Sequence, residues 1–595
     1  MMLGYFGRYL RVDLVHGATP VAIAEETLRS LIGGVGLGTA LLMRETRARF
    51  DPLGPDACVV FAFSPFVGTS ITTSAKLAVV SKSPLTGRLN DALSSSDFAI
   101  AGKRSGHDAI VLRGRAEEPS VVLIDGERVR IERCADLWGT GESVSSVDAT
   151  LSKRYPGYHF AVIGVAGENL VRYAGICNGG RHAGRGGLGA VLGAMRIKAV
   201  GVRGKQPVTV ADPKRLVDIA RDLARRSLGP ATEKYRELGT IANLAAFNRL
   251  AALPTKNFQE STFEGAEALS GETLTRTRAL GKSSCRTCTI GCEHFFAAPG
   301  GKRVKLEYES LFALGPLCGI DDPDVTLAAA LRCDELGLDT ISAGGTIAFA
   351  MECNERGLLS HPDLRFGNGQ ALLAMLDDIA HGKSELGRLL QQGSRAAAER
   401  IGPPAPDFAP HVKGLEIPGY EPRALQTMAL GFAVGSRGAD HNKSGAYEVD
   451  FSERVDRFAP SLEAVAMAVD TENRAALIDS LILCKFLRGV FDDLYVEAAE
   501  ALNAITGVPF DAAELRAVAE RIVLMKKLFN LREGWTRDED RLPRRFTSEA
   551  LEQGVARGAI VDETRLDALI EAYYEARGWR RDGTVPEQTI AQSGL

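Results

Sequence analysis

The chain has 595 residues, 71 of them basic and 75 acidic, so its formal net charge is −4. This near balance argues against a nucleic-acid partner, because such binders carry a marked excess of Lys and Arg. A hydrophobic fraction of 45% and a charged fraction of 25% are typical of globular proteins and exclude disordered, collagenous and coiled-coil chains.

The start of the chain does not resemble a targeting signal. Arg8, Arg11 and Asp13 interrupt its apolar residues, whereas a secretory signal needs ~7–15 consecutive apolar residues. The apolar run 341–353 contains Glu352 and is shorter than the ~20 residues of a membrane span. We therefore expect a soluble, cytoplasmic protein with no membrane partner. In a reducing cytosol, clustered cysteines indicate metal binding more often than disulfides.

Residues 1–206 are predicted to be rich in β-structure. Short apolar runs bounded by Gly, Pro, Ser or Asp are typical of strands. Such runs occur at 9–14, 59–63, 77–80, 109–112, 121–124, 161–163 and 199–202. Helices are predicted only near 24–44 and 142–154 in this part of the chain.

Beyond Pro207 the apolar residues recur with helical spacing. The predicted helices are 213–228, 231–251, 324–337, 343–356, 369–381, 385–401, 472–488, 491–504, 511–530 and 562–577. A proline-rich loop, 402–423, separates two helical regions. Strands followed by helices predict segregated layers. The predicted fold class is α+β: a β-rich domain, 1–206, followed by two mainly helical domains, 207–412 and 413–595.

Three cysteines form the sharpest local pattern. Cys285, Cys288 and Cys292 follow the spacing C-x2-C-x3-C, so a loop that wraps round could bring three thiolates to one metal centre. Consecutive-Cys loops of this kind hold iron–sulfur clusters, which take four thiolates, and Cys484 is the candidate for the fourth. A structural zinc site is the main alternative, because zinc also takes four ligands and His294 is nearby in sequence.

A glycine-rich segment at 183–193, AGRGGLGAVLG, is a candidate phosphate site. Closely spaced glycines let backbone N–H groups approach phosphate oxygens. The spacing matches neither the dinucleotide fingerprint nor the Walker loop, and a plain glycine-rich turn between strands is the alternative. The candidate residues are Ala183, Gly184, Arg185, Gly186, Gly187, Leu188 and Gly189. The hydroxyl-rich segments 72–76 and 81–87 add either an anion platform or a polar strand with a turn.

Two short segments in the helical part echo each other. Residues 334–339 read DELGLD and residues 479–484 read DSLILC, so both follow D-x-x-x-L with a final Asp or Cys. The echo provides one motif for each predicted helical domain.

Taken in order along the chain, these motifs resemble the aldehyde:ferredoxin oxidoreductase family of tungsten enzymes. The resemblance spans essentially the whole chain, and no single short motif carries it. The segments are GRYLRVDL at the N-terminus, SPLTG (83–87), AGENLVRYA (166–174), AGRGGLGAVLG (183–193), C-x2-C-x3-C (285–292), EYES (307–310), CDELGLDTIS (333–342), KGLEIPGYEPR (413–423), SRGADH (436–441) and DSLILC (479–484).

The resemblance implies a tungsten atom held by the dithiolene sulfurs of two pterins, with a 4Fe–4S cluster beside one pterin. It assigns the cluster to Cys285, Cys288, Cys292 and Cys484, and the pterin contacts to Asp334, Leu338, Asp339, Asp479 and Leu483. It places the pterin phosphates over 183–189, bridged by Mg²⁺ bound to backbone carbonyls near Ala183 and Leu93. Three residues depart from the family pattern: Lys76 replaces an Arg, Leu93 an Asn and Ile482 a Gly.

The implied reaction is the oxidation of an aldehyde to a carboxylic acid. It requires a general base to activate water, and Glu309 is the family-matched candidate, with Glu307 as the alternative on the opposite side of an extended segment. His441 is the candidate that hydrogen-bonds the carbonyl oxygen as charge develops. We expect the electrons to leave to ferredoxin or to an iron–sulfur subunit, with a flavin subunit as a further component. The resemblance also implies a homo- or hetero-oligomer.

Two other functions stay open at this point. A reductive family member, similar to the catalytic subunit of ATP-independent benzoyl-CoA reductase, would use the same cofactors. A thiolate ligand to tungsten would favour that function, and Cys318 is its candidate, although a buried structural thiol is the main interpretation of Cys318. An iron–sulfur or zinc module that only relays electrons is the third possibility, but it would need neither the glycine-rich segment nor the paired Asp motifs.

Overall fold

The computed structural model describes residues 2–595, so Met1, the first residue of the predicted domain 1–206, lies outside the described residues. The first part of the chain forms two six-stranded sheets. The first sheet contains β1 (Arg8–Asp13), β2 (Gly17–Ala22), β3 (Cys58–Ala62), β4 (Lys76–Lys82), β5 (Leu89–Ser95) and β6 (Ala109–Arg113). Its order is β2-β1-β6-β3-β4-β5; β1 and β6 are parallel, and the other neighbours are antiparallel.

The second sheet has the same number of strands and the same kind of pairing. It contains β7 (Ser120–Asp125), β8 (Arg128–Arg133), β9 (His159–Ile163), β10 (Ile176–Asn178), β11 (Arg181–Ala183) and β12 (Ile197–Arg203). Its order is β11-β10-β9-β12-β7-β8, and β7 and β12 are the parallel pair.

Short helices pack against the two sheets, which share one apolar core. These helices are α1 (Glu25–Leu31), α2 (Gly34–Glu45), α3 (Asp97–Lys103), α4 (Val144–Arg154), α5 (Val165–Glu168) and α6 (Leu188–Ala194). Val79 of the first sheet and Val200 of the second belong to the same buried cluster. Every apolar run that predicted a strand overlaps a strand of the structure, whereas β2, β5, β8, β10 and β11 were not predicted.

The rest of the chain is mainly helical, with two small sheets. Its helices are α7 (Pro213–Arg226), α8 (Glu233–Glu237), α9 (Asn243–Arg249), α10 (Gly271–Arg278), α11 (Tyr308–Leu314), α12 (Pro323–Leu336), α13 (Thr340–Glu355), α14 (Gly369–His381), α15 (Glu385–Leu390), α16 (Ser394–Ile401), α17 (Ala405–Phe408), α18 (Gln426–Val434), α19 (His441–Ser444), α20 (Tyr447–Asp450), α21 (Leu462–Leu481), α22 (Leu494–Thr506), α23 (Ala512–Arg532), α24 (Arg545–Ser548), α25 (Glu563–Ala576) and α26 (Glu587–Ser593). Its strands are β13 (Ala279–Ser283), β14 (Glu293–Ala297), β15 (Arg303–Lys305), β16 (His411–Val412) and β17 (Leu415–Glu416).

The helix ends show where local sequence decides the fold and where it does not. Asp212 caps α7 by accepting a hydrogen bond from the Arg215 N–H at 2.9 Å, as Ncap residues do. The helix predicted over 472–488 is wrong in position, because α21 starts at Leu462 and ends at Leu481. Ile482 then turns left-handed, with φ 66°.

The distribution of strands and helices confirms the α+β class. The domain boundaries at 206 and 412 stay predictions. No helix within residues 2–595 combines the length and the apolarity that crossing a membrane requires.

Candidate active site

A cavity of about 480 Å³ lies where the strands of the first part meet the helices of the second. Its walls come from the start of β4, the middle of β5 and β11 on one side and from α11, α19 and the end of α21 on the other. A second cavity of about 270 Å³ extends from it toward the end of α12. Lys76, Leu93 and Gly184 line both cavities. The two spaces therefore form one continuous site.

The cysteine loop lies at this site. Cys285, Cys292 and Cys484 line the larger cavity, and Cys288 packs beside Cys292 on an apolar cluster. The loop wraps back through Gly291, whose φ of 66° is easily adopted only by glycine. Burial, followed by the nearby charges of Glu307, Cys484 and the other loop thiols, raises the pKa of Cys292. The four predicted ligands are thus neighbours in space.

Two threonines join the cysteine loop to Cys484. The Thr289 N–H donates to Thr72 Oγ1 at 3.1 Å, and the Thr73 N–H donates to the Thr287 carbonyl at 3.1 Å. From the other side, the Cys484 N–H donates to Thr73 Oγ1 at 3.1 Å. The hydroxyl-rich segment at 72–76 therefore positions the predicted cluster ligands through its first two residues.

The spacing of the cysteines allows either a single zinc ion or an iron–sulfur cluster. Among residues 2–595, no three His, Cys, Asp or Glu side chains converge closely enough to hold one metal ion. A cubane cluster binds one thiolate at each iron and spaces its ligands more widely than a single ion does. Three thiols around one cavity, those of Cys285, Cys292 and Cys484, with Cys288 packed beside Cys292, fit that arrangement.

Glu309 and His441 face each other in the larger cavity. Glu309 Oε2 accepts a hydrogen bond from the Gly419 N–H at 3.0 Å, and Oε1 lies 3.5 Å from His441 Nε2. Buried Glu309 Oε1 and His441 Nδ1 have no hydrogen-bond partner among the described residues. Two buried polar atoms without partners are costly unless a ligand or water meets them.

The environment shifts both groups toward their neutral forms. Burial raises the pKa of Glu309 to about 8. Burial also lowers the pKa of His441 to about 3, despite the opposing charge of Asp440. Such displaced pKa values are common at functional sites.

The EYES segment is not extended. Glu307 is the Ncap residue of α11, and Glu309 lies in its first turn. Both carboxylates line the larger cavity, contrary to the expectation that they face opposite sides. Glu307 Oε2 is already occupied, because it accepts a hydrogen bond from Thr240 Oγ1 at 2.6 Å.

The glycine-rich segment divides into two parts. Ala183 ends β11, Gly184 lines both cavities and Arg185 lines the larger one. The Arg185 guanidinium donates to the Ala439 carbonyl at 2.7 Å, so it ties the segment to the loop before His441.

The remaining residues of this segment pack on backbone. Gly186 accepts a hydrogen bond from Ser83 Oγ through its carbonyl at 2.8 Å. A Cβ on Gly187 would lie 2.1 Å from the Arg172 carbonyl oxygen, so this position has room only for glycine. Leu188 and Gly189 begin the buried helix α6. Close packing therefore requires these glycines.

The two D-x-x-x-L segments share one geometry. In each, a helix ends in a left-handed residue, Gly337 with φ 78° after α12 and Ile482 with φ 66° after α21. The following leucines, Leu338 and Leu483, line the smaller and the larger cavity, respectively. The echo in the sequence is therefore a structural repeat at the site.

The carboxylates of this repeat differ in their partners. Asp334 Oδ1 lies 3.2 Å from His182 Nε2, and Asp339 caps α13 through the Ser342 N–H. Asp479 is fully paired, with Lys443 Nζ at 2.9 Å and Lys485 Nζ at 3.0 Å.

Two family models match the chain along most of its length. The model described as "Aldehyde ferredoxin oxidoreductase, N-terminal domain" matches residues 9–204, and "Aldehyde ferredoxin oxidoreductase, domains 2 & 3" matches residues 219–595. The chain belongs to the aldehyde ferredoxin oxidoreductase family. It is therefore an oxidoreductase, and the resemblance given by its motifs is confirmed.

Similar proteins extend over the whole chain. A tungsten-containing aldehyde ferredoxin oxidoreductase of Thermococcus kodakarensis is 36% identical over 100% of this chain and 99% of its own. One from Pyrococcus furiosus is also 36% identical, with the same coverage. Among solved structures, the active site complex BamBC of benzoyl coenzyme A reductase with 1,5-dienoyl-CoA has a TM-score of 0.84 and 23% identity. The match covers 100% of this chain and 98% of the benzoyl coenzyme A reductase chain, and it shows that the two chains have a similar fold.

In this member of the aldehyde ferredoxin oxidoreductase family, the structure adds a buried ionic network that no motif indicated. Asp91 Oδ2 lies 2.9 Å from Lys443 Nζ and 2.8 Å from Lys526 Nζ, and the Arg437 guanidinium donates to the Asp91 carbonyl at 2.7 Å. Burial alone would raise the pKa of Asp91, but these cations outweigh it and lower the pKa. Lys526 on the mostly buried face of α23 was the available signal, because a buried lysine is rare unless paired.

Cys318 lies in the apolar core. Its thiol is fully buried and donates to the Ala313 carbonyl at 3.4 Å, and burial raises its pKa to about 12. These surroundings fit a structural thiol.

Proposed function

We propose that this oxidoreductase converts aldehydes to carboxylic acids in the larger cavity: RCHO + H₂O → RCOOH + 2 e⁻ + 2 H⁺. The observation that carries the proposal is the buried Glu309–His441 pair, 3.5 Å apart. This pair shares its cavity with Cys285, Cys292 and Cys484. The names of the full-length relatives support the same reaction.

The residues at the site fit a tungsten–bispterin cofactor. Asp334, Leu338 and Asp339 would hold one pterin, and Asp479 and Leu483 the other. Lys76 and the backbone of 183–189 would meet the phosphates, with Mg²⁺ at carbonyls near Leu93 and Ala183, since Mg²⁺ prefers oxygen ligands. Cys285, Cys288, Cys292 and Cys484 would hold the 4Fe–4S cluster. When bound, the tungsten cofactor supplies the two-electron acceptor for the aldehyde.

Glu309 is the group that activates water. The Gly419 N–H fixes one carboxylate oxygen, so the other is free to accept a proton from a water in the cavity. A base whose pKa lies near the working pH is the most effective in such a transfer. Burial raises the pKa of Glu309 to about 8, which is close to a working pH near neutrality.

His441 is the group that polarises the aldehyde. Because burial keeps its pKa at about 3, the ring is neutral and donates one hydrogen bond to the carbonyl oxygen as negative charge develops. Tyr420 stacks on the ring, with centroids 4.8 Å apart and planes at 23°. The stacking fixes the orientation that such electrostatic stabilisation needs.

Electrons must leave through a partner. The 4Fe–4S cluster would pass them to ferredoxin or to an iron–sulfur subunit, with a flavin subunit completing a larger assembly. A homo-oligomer and a hetero-oligomer are equally compatible with this proposal.

The proposal is tested by metal analysis followed by assays on the same sample. We expect tungsten near one atom and iron near four atoms per chain, and viologen reduction with aldehydes as donors. Zinc as the sole metal, or tungsten without aldehyde-dependent dye reduction, would overturn the proposal.

A reductive aryl-CoA function is the second candidate, because the fold is like that of the BamBC complex. The burial of Cys318 in the core weakens it, since that thiol was the candidate ligand for such chemistry. Oxidation of a reduced viologen by benzoyl-CoA, in place of viologen reduction by aldehydes, would favour this function.

A further inference from the structure

The larger cavity has two unlike walls. Charged groups and thiols form the wall toward Lys76 and Asp479, whereas aromatic rings form the wall beside His441. Seven of the 33 residues that line the cavity are Phe or Tyr, against 7% aromatic residues in the whole chain. Aromatic rings are therefore concentrated on one side of the cavity, beside the catalytic pair.

The rings form a continuous chain from the catalytic pair to the surface. Tyr420 stacks on His441, and Tyr447 lies 5.0 Å from Tyr420 between ring centroids. Phe451 follows at 6.3 Å from Tyr447 and 5.5 Å from Phe247. Phe451 lines the cavity and is 40% exposed, so it marks the opening of this wall to solvent.

Core packing accounts for only part of this wall. Phe247, Tyr308 and Tyr420 are buried. In contrast, Tyr447 and the stacked pair Tyr235 and Phe486, with centroids 4.0 Å apart, are only half-buried although they line a cavity. Rings that stay partly exposed inside a cavity favour an apolar, flat ligand, because aromatic pairs stabilise each other beyond the area they bury.

The charge of Arg488 in this wall is already compensated. Arg488 donates to Tyr447 Oη at 2.5 Å and forms an ion pair with Glu448. A substrate carboxylate would have to compete with Glu448 for this guanidinium. Arg488 therefore does not select an acidic side chain. Lys234, which also lines the cavity, is exposed and lies over an aromatic ring, with its Nζ 4.9 Å from the Tyr235 ring centroid.

We infer that this aromatic wall selects aldehydes that carry an aromatic ring and directs their carbonyl toward Glu309 and His441. The inference rests on the proposed aldehyde oxidation and names its substrate class. Phe451 and Phe486 are specificity residues, while the chemical step stays with the catalytic pair.

The test compares benzaldehyde with propanal in the holoenzyme and in three variants. Phe451→Ala and Phe486→Ala remove rings from the wall, and Phe458→Ala removes a half-buried ring outside the cavity as the matched control. From the strength of aromatic pairs, we expect kcat/KM for benzaldehyde to fall about tenfold in the two wall variants and for propanal to change less than about twofold. Phe458→Ala changes neither value.

A second measurement does not depend on turnover. Calorimetry with benzyl alcohol should show binding to the wild-type holoenzyme that weakens in Phe451→Ala and Phe486→Ala but not in Phe458→Ala. Metal content and melting temperature identify a variant that has failed to fold.

Equal loss of kcat/KM for both aldehydes, or equal benzyl alcohol binding in all variants, overturns the inference while the proposed function stands. If no aldehyde is oxidised, the proposed function is wrong, and the inferred substrate class falls with it.

Discussion

The ends of helices α12 and α21 differ in one residue type while sharing one backbone geometry. Gly337 takes the left-handed conformation freely, whereas Ile482 takes it at a cost of about 1–2 kcal/mol for a residue with a Cβ. Ile482 is fully buried in the apolar core of the sheets, where its side chain lies against the start of α2 at Gly34. Packing can thus impose a helix end that the local sequence does not indicate.

The two ends also differ in the residues that come after them. After α12 the chain continues to Asp339, which caps the next helix, and after α21 it continues to Cys484, whose N–H is bound by Thr73. The first end would therefore serve a pterin only, while the second would serve a pterin and the cluster.

The largest effect is expected from substitution of Cys484, which tests whether the end of α21 supplies a cluster ligand while the end of α12 does not. Cys484→Ser should lose the iron and acid-labile sulfide of the cluster and all viologen reduction, because serine presents a neutral hydroxyl where the cluster takes a thiolate. Asp339→Asn should keep full iron content. Normal iron in Cys484→Ser would show that a different residue completes the ligand set.

Substitution of the pair between the two helix ends should leave both cofactors in place. Glu309→Gln and His441→Ala are expected to lower kcat/KM by about 10²–10⁴, the range for loss of a positioned proton-transfer group. Tungsten and iron should stay at wild-type levels. An unchanged kcat/KM in either variant removes that residue from the catalytic assignment.

The carboxylates that begin the two repeats should differ in their effect on stability. Asp479→Asn leaves the buried Lys485 without its carboxylate, while Lys443 keeps Asp91, and is expected to cost about 3–5 kcal/mol of unfolding free energy. Asp334 is about one-third exposed, so Asp334→Asn should cost at most about 1 kcal/mol. Urea unfolding compares the two, and equal midpoints would contradict the difference in pairing.

The pH profile distinguishes Glu309 from Asp479. Burial raises the pKa of Asp479, but Lys443 and Lys485 outweigh burial and lower it, whereas burial raises the pKa of Glu309 to about 8. Because the base form is ionised, kcat/KM should rise about tenfold per pH unit below pH 8 and level off above it. Glu309→Gln should lose this slope, and a slope that persists there belongs to another group.

The smallest effects are expected from substitution of the two left-handed residues, Gly337 and Ile482. Gly337→Ala adds a Cβ about 3.0 Å from the Gly164 backbone nitrogen in a left-handed conformation and should destabilise the protein by about 1–2 kcal/mol. Ile482→Gly relieves strain but empties a packed position, and a net loss of about 1–3 kcal/mol is expected. A higher melting temperature for Ile482→Gly would mean that strain outweighs packing.

The sequence predicted those parts of the site that depend on local spacing. The spacing of Cys285, Cys288 and Cys292 indicated one loop at the site, and their role as cluster ligands stays a prediction. The strand at 77–80 was predicted from its apolar residues. β5 was missed because LNDALSS is polar in pattern although most of it is buried, and it carries both Asp91 and Leu93. The end of α21 was missed because isoleucine is not a helix stop signal. The ion pairs of Lys443 and Lys526 with Asp91 join segments that are distant in sequence, so no local pattern indicates them.

The Thr73–Cys484 hydrogen bond joins residues that are 411 positions apart. This hydrogen bond links the assembly of the proposed cluster to the order in which the chain is synthesised. During synthesis the first three cysteines emerge long before the fourth, so the ligand set is complete only when α21 has been made and packed. Cluster insertion would then require that the cysteine loop and the segment after α21 have packed together. The iron content of a purified sample would therefore measure its fraction of correctly assembled chains.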